Sequence, residues 1–410
     1  SGETDSIDFS LPLPERFVKC INNGAPNDLY YCSSILVEVI QGQSLWFVTK
    51  VFFPAIQVLL ETDDLDAAIN TIESFPRISE IFAEQFPDKY SSIIEQAIIP
   101  LLQNEFEDCD GDFIEVVSLS FASVLTLLDP EDFVQHQIDN LKDMANSDNL
   151  ETKTILAKVL HYIVPVFRSD LWYEDLLEII FILASDSLGS VRAMVPPLIA
   201  TYAKKLVDLR ERMQFASRFQ LFCRDSAQSV RKAVADSVAE LSESLDESTR
   251  TLIIKQVIRT LLHDDTEAVQ TAVMQNYGKL IYSFKSSIDA EMVKIYTDCL
   301  TNRNPAISFA SAFTFPAVAL LLGKDRWSEL SSALELVSSS VEYRIRRTLA
   351  FGLAEYVHLM TPVEAETFAV LFLRDIPEVA IGVIENLNRI IPSVATPKNL
   401  EFALIDPSRY

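Results

Sequence analysis

"RDSAQSVRKAV", residues 224–234, sets an acid, Asp225, six residues ahead of a base, Arg231, with a polar stretch between them and apolar residues after. Alone, it admits three readings: an ion pair for chemistry, a phosphate-binding turn, or one copy of a repeated unit. Its copies decide between them. "SDSLGSVRAMV" begins at Ser185 and "HDDTEAVQTAV" at His263, so Val191, Val230 and Val269 fall 39 residues apart each time. The phase runs back to "NSDNLETKTIL", where Thr152 and Lys153 hold the Val-Arg places. It runs forward to Ile307 in "TNRNPAISFAS", Ile345 in "SSVEYRIRRTL" and Val379 in a shortened copy, "RDIPEVAIGV". Weaker copies lie near Leu29, Ala67 and Ile114, which makes about ten units at a spacing of roughly 38–39 residues.

A period of this size is the mark of a solenoid, because each unit is one supersecondary element that cannot bury its apolar face alone. The pattern inside the unit gives the element. Before the phase mark, "LWYEDLLEIIFILASD" sets Leu171, Leu176, Leu177, Ile180 and Leu183 on one side of a helix. After it, Val230, Val234, Val238 and Leu241 repeat at helical spacing. A short turn rich in Asp, Ser, Asn and Gly separates the two, suited to ending one helix and capping the next. The expectation is an all-α solenoid of antiparallel helix pairs: weak acidic repeats over 1–130, regular repeats over 131–395 and a C-terminal tail over 396–410. Pro196-Pro197 and Pro316 fall inside second helices and predict kinks there.

Composition narrows the chemistry. Only nine of the 410 residues are Gly, too few for the phosphate-cradling loops of an α/β enzyme, and no GxGxxG or Walker-type stretch occurs. The five cysteines (Cys20, Cys32, Cys109, Cys223, Cys299) are scattered without CxxC spacing and read as reduced thiols in a cell. "EDCDGDFIE" alternates acids as a calcium loop does, but Gly111 and Leu119 stand where that loop needs other positions filled, and the stretch falls on the repeat phase. His136, His161, His263 and His358 are far apart in a fold that brings only neighbours together, so no metal site, triad, cofactor or catalytic residue is expected. The phase acids and bases then have a structural use, as caps and as rungs between repeats: Asp186 with Arg192, Asp225 with Arg231, Asp264, and Arg346. The alternative is that Arg192 and Arg231 face a partner.

Net charge is −25, and it is uneven. Residues 1–150 hold 27 acidic against 6 basic side chains; residues 151–410 hold 32 against 28. Such a chain repels nucleic acid and anionic membrane, and a basic protein surface suits its first third better. The most apolar stretch, "LWFVTKVFFPAIQVLL", is interrupted by Lys50 and Pro54 and is too short to span a bilayer.

The Asp-x4-Val-Arg marker at this period resembles the HEAT repeat. Over 140–395 a narrower likeness emerges, in Phe315-Pro316, Leu322-Gly323, Trp327, the run Arg346 to Phe351 and "EVAIGVIENL" from Glu378. These residues resemble the HEAT-repeat regulatory and scaffold subunits of the type-2A group of Ser/Thr protein phosphatases, the phosphatase 4 regulatory branch more than the type-2A scaffold branch. The resemblance implies a non-catalytic scaffold, cytoplasmic with the nucleus also open to it, that holds a phosphatase catalytic subunit and further regulators or substrates on a ridge of intra-repeat turns. Carried onto this chain, the ridge comprises Ser187, Leu188, Ser226, Gln228, Thr266, Glu267, Arg303, Asn304, Glu342 and Tyr343. The exposed basic turn with Lys324, Arg326 and Trp327, which joins one unit to the next, is a further candidate contact; Trp327 either closes the end of a helix pair or sits at an interface. The alternative is a transport-receptor-like or adaptor solenoid that takes basic protein partners on its acidic surface.

Overall fold

A computed structural model describes residues 7–107, 109, 111–166 and 173–405; Asp108, Asp110 and Leu171 lie outside them. Among the described residues there are helices and turns and no strand. The chain divides into two compact units, Ser1–Leu198 and Ile199–Tyr410.

In the first unit, the helices Leu65–Gln85, Gly111–Leu127 and Leu150–Val166 pack side by side as successive second helices. Ile138–Asn146 and Tyr173–Ala184 pack in turn as successive first helices. Asp64 starts the Leu65–Gln85 helix by accepting from the N–H groups of Asp66 and Ala67. The weak phase is visible in the packing: Ala67 and Leu29 are buried, but at the third weak copy Val117, not Ile114, takes the buried place. Two first helices also widen to five-residue bonding, at Val48–Phe52 and Ile94–Ile98, just ahead of Pro54 and Pro100. A proline has no N–H to give and its ring displaces the preceding carbonyl, so the turn before it opens. Phe133–Gln137 and Arg250–Ile254 widen likewise with no proline after them, so proline is one route to the widening and not a requirement.

The second unit is regular. Its pairs are Leu209–Leu221 with Gln228–Glu243, Lys255–Leu262 with Glu267–Gln275 and Tyr277–Phe284, Ala290–Leu300 with Pro305–Leu322, Ser328–Val337 with Tyr343–Tyr356, and Pro362–Leu373 with Pro377–Ile384. The phase marks Val230, Val269, Ile307, Ile345 and Val379 are all buried, as Val191 is in the first unit. Each is the first residue of its second helix to enter the core, and this is why the sequence keeps an aliphatic side chain there. The stretch expected as a tail folds instead: Pro397–Ile405 is a helix that buries Leu400 and Ala403 against Pro362–Leu373. Two apolar residues one helical turn apart suffice to dock it.

The prolines behave differently from one another. At Pro196-Pro197 the helix is interrupted, Gly189–Arg192 and Val195–Ala203 being separated by a turn at Ala193-Met194. The missing N–H groups of Pro196 and Pro197 would have bonded to the carbonyls of Arg192 and Ala193, where the helix breaks. Through Pro316 the helix runs on without a break. Room for its ring comes from the next repeat, where a Cβ on Gly352 would sit 2.9 Å from the Pro316 ring. Gly382 is tighter still: a Cβ there would lie 2.8 Å from the Phe351 backbone nitrogen. Replacing Gly382 by Ala sets a helix-propensity gain of about 1 kcal/mol against an overpacking cost of about 1–3 kcal/mol, and a backbone neighbour cannot step aside as a side chain can. Chemical denaturation of Gly382→Ala is expected to show a net loss of stability.

Candidate protein-binding ridge

The turn acid does not cap the second helix. Asp225 accepts from the Ala227 N–H (2.8 Å), and Ala227 is itself the N-cap of Gln228–Glu243, with no side-chain cap. Asp186 does the same for Leu188 (2.8 Å) and Asp264 for Thr266 (2.9 Å). An Asp two residues ahead of an N–H closes a local turn, and the helix starts after it. The acid therefore fixes the turn, which corrects the expectation of a cap.

The base fixes the same turn from the other side. Arg231 Nη1 donates to the carbonyls of Asp225 (2.8 Å) and Ser226 (3.3 Å). Arg192 donates to those of Asp186 and Ser187, and Arg346 to those of Ser340 and Val341. The remaining nitrogens cross to the next repeat. Arg231 Nε and Nη2 grip Asp264 at 2.6 and 3.2 Å, with Nη2 also on Thr266 Oγ1; Arg346 grips Asp375 at 2.6 and 2.9 Å. Lys153 reaches Asp186 at 2.5 Å. Burial pulls the Asp264 carboxyl upward, but hydrogen bonds from Arg231 and Thr266 outweigh it and hold the group below its usual value. Asp186 is held low in the same way by Lys153 and the Leu188 N–H.

With the turns stapled from within, their tips are left to solvent. Ser187, Leu188, Ser226, Gln228, Glu267, Arg303 and Tyr343 are exposed. Thr266, Asn304 and Glu342 are half-buried and already engaged: Thr266 with Arg231, Asn304 in capping the Ala306 N–H, Glu342 in capping the Arg344 N–H. Glu267 and Asn304 also join one turn to the next at 2.8 Å. Lys324 and Arg326 lie between repeats, at the opposite ends of the helices from these turns, so they do not belong to this ridge. Lys324 is exposed; Arg326 is held by Glu329 and the Ile288 carbonyl.

Trp327 leaves the exposed set. It is 5% exposed, packed 6.2 Å from both Phe315 and Tyr356, in an aromatic cluster that continues through Tyr296 to Tyr277. A large indole at a turn found more area to bury beneath the helix pair than outside it. The tyrosines of the cluster spend their hydroxyls on carbonyls, Tyr277 on Met292, Tyr296 on Ser311 and Tyr356 on Leu349. Sequence reading missed a second set of links, on the inter-repeat edge: Lys255 with Asp289, Arg212 with the Ser244 carbonyl, and Arg326 with that of Ile288. These residues change type and offset from repeat to repeat, so no period betrays them.

No protein-family model matches the chain. Over 95 residues, 22% of its length, it is 32% identical to the serine/threonine-protein phosphatase 4 regulatory subunit 1 of Homo sapiens, and equally to those of Mus musculus and Rattus norvegicus. The match takes in 10% of each relative's length. Among solved structures, the karyopherin Kap95p, whose binding induces the switch loops of RanGDP to adopt the GTP-bound conformation, superposes with a TM-score of 0.65 at 13% identity, over 96% of this chain and 52% of that one. Kap121p bound to Nup53p gives 0.64 at 14%, over 97% and 43%. The fold is thus an all-α HEAT-repeat solenoid, and the chain resembles in part a HEAT-repeat phosphatase regulatory subunit.

The rungs make two predictions. Asp264→Ala removes the counter-ion of a guanidinium that is 15% exposed but leaves its bonds to the Asp225 and Ser226 carbonyls and Thr266, so urea denaturation is expected to show a loss of about 2–3 kcal/mol. In that background Arg231→Leu is expected to cost far less than it does in the native chain. Because Asp186 and Asp264 are depressed in the folded chain, their contribution is present above the unfolded value of about 3.9 and is lost as pH falls through the lower folded value. Stability measured from pH 6 to pH 2 is expected to drop below about pH 4, less steeply in Asp186→Asn/Asp264→Asn.

Proposed function

We propose that the chain is a non-catalytic scaffold or regulatory subunit for a type-2A-group Ser/Thr phosphatase. The 95-residue match to the phosphatase 4 regulatory subunit carries this reading. The exposed turn tips are the surface on which it would hold a catalytic subunit: Ser187, Leu188, Ser226, Gln228, Glu267, Arg303 and Tyr343 stand on turns that need none of their side chains for stapling except Glu267. The helix pairs supply rigidity, the tips supply contacts, and the chemistry belongs to the partner.

A second reading is favoured by charge. Glu61, Asp63, Asp66, Asp88 and Glu131 are exposed in the first unit, and an acidic surface of this kind would take a basic protein cargo, as in an adaptor or transport receptor. Both readings place the chain in the cytoplasm or nucleus.

The two separate in one titration experiment. The purified chain is mixed with purified catalytic subunits of phosphatases 2A and 4, and heat of binding is recorded. Saturable binding is expected, weakened about tenfold by Ser226→Arg/Gln228→Arg with the melting temperature unchanged. Silence from every catalytic subunit, with salt-sensitive binding of a Lys/Arg-rich peptide, would reverse the order of the readings.

A further inference from the structure

The Pro305–Leu322 helix is long and apolar enough to cross a membrane, yet only 56% of it is buried. Ile307, Ala310, Phe315, Val318 and Leu322 fill the core. The opposite stripe does not: Phe309, Phe313 and Leu320 are 41, 69 and 46% exposed, and with Ala317 they recur at helical spacing along one face. Leaving a phenylalanine mostly in water, as Phe313 is, forgoes about 2 kcal/mol of burial, and the core does not explain why this helix bears it with a half-exposed Phe309 beside it.

The neighbouring second helices extend the stripe into a face. Gly278 admits Ala317 and Gly352 admits Pro316, so these helices lie flush in order. Counted from the phase marks Ile307 and Ile345, Phe313 and Phe351 are each the sixth residue on and share a level; Phe309 shares one with Arg347. Exposed Tyr282 on one side, and Ile381 and Ile384 on the other, continue the apolar surface.

Its rim is cationic along the Tyr277–Phe284 and Tyr343–Tyr356 helices, while exposed Glu378 and Glu385 flank Ile381 and Ile384 beyond them. Arg347 lies over the Phe351 ring at 5.2 Å, and Lys279 and Arg344 are exposed beside the stripe. None of the three is in an ion pair among the described residues, while Glu355, on the same helix face, is taken by Arg389 at 2.8 Å. The Gln228–Glu243 helix differs, since its Lys232 is neutralised by Asp236 and its Glu240 by Lys204.

We propose that this face binds a short amphipathic helical segment of a partner protein, acidic on its flank. Its apolar residues at i, i+3/i+4 and i+7 would cover Phe309, Phe313 and Leu320, and its carboxylates would meet Arg347 and Arg344. Charge selects this occupant. A second copy docked face to face would bring two such cationic rims together, so self-association and vesicle binding are outcomes that the test separates. The site adjoins the Tyr343 tip only at Arg344 and does not depend on phosphatase binding.

The test is selection of random helical peptides displayed on phage against the purified chain, followed by anisotropy titration of the enriched peptides. Enrichment of sequences with helically spaced apolar residues and Asp or Glu is expected. Their affinity should fall about tenfold or more in Phe313→Ala/Leu320→Ala and in Arg347→Glu, and Glu-to-Lys exchange in the peptide should restore binding to Arg347→Glu. All three positions are exposed, and melting curves confirm folding. The proposal is overturned by no enrichment, by basic peptides, or by peptides indifferent to these substitutions. It is equally overturned if the substitutions abolish only self-association in sedimentation or only binding to phosphatidylserine vesicles.

Discussion

The structure depends on one forked side chain. Where the marker is kept, a base near the start of the second helix staples the carbonyls of its own turn and bridges to the turn acid of the next repeat. Those carbonyls belong to the turn beyond the end of the first helix, and the staple holds them in one geometry. Arg, Lys and Gln at the position show what the fork requires, while Ser308 and Ala380 hold the same place in other repeats and make no fork. Arg231 and Arg346 do both tasks, because a guanidinium has five N–H groups in a fixed plane. Lys153 makes the bridge to Asp186, and Gln270 makes only the staple, to the Asp264 carbonyl at 2.5 Å. A point charge reaches across and an amide reaches back; neither geometry serves both.

The fork also accounts for part of the sequence likeness to phosphatase regulatory subunits. Arg346 is a rung, Phe315 and Trp327 are members of a buried aromatic cluster, and Phe351 covers Gly382. The residues that carry the likeness are thus mainly those that hold repeats together. Contacts with a partner fall elsewhere, on the tips and on open helix faces, where packing leaves the side chain free to vary.

The period is legible because packing enforces it. An aliphatic residue that enters the core once per repeat, and an acid-base pair that closes each turn, must recur at fixed offsets. Features that do not recur leave no such trace. Asp375 answers Arg346 from a shortened turn, 29 residues on where Asp264 is 33 from Arg231, so it falls outside the marker. Asp225 reads as a cap because Asp favours both caps and turns, and only the backbone distinguishes the two. Trp327 admits two readings from the sequence, the end of a helix pair or an interface; its burial is decided by Phe315 and Tyr356, twelve residues before and twenty-nine after. The weak N-terminal copies carry Tyr30, Ala68 and Glu115 in the place of the base, so no cation stands there to form a fork and the marker fades.

Stapling on both edges has a consequence for the surface that remains available. Forks hold the intra-repeat turns, and Lys255, Arg212 and Arg326 hold the inter-repeat turns of the second unit. Repeats touch only their neighbours, so each joint is stabilised locally and none relies on a partner to close it. The surfaces left over are of two kinds: polar tips raised on rigid turns, and the outward stripes of second helices. A tip contributes few atoms, so a partner must span several turns to bind well, which favours a large folded protein. A stripe such as Phe309, Phe313 and Leu320 presents apolar area on a single helix, which favours a short segment. The two surfaces differ in the size of partner they can hold, and a chain built this way can hold one of each.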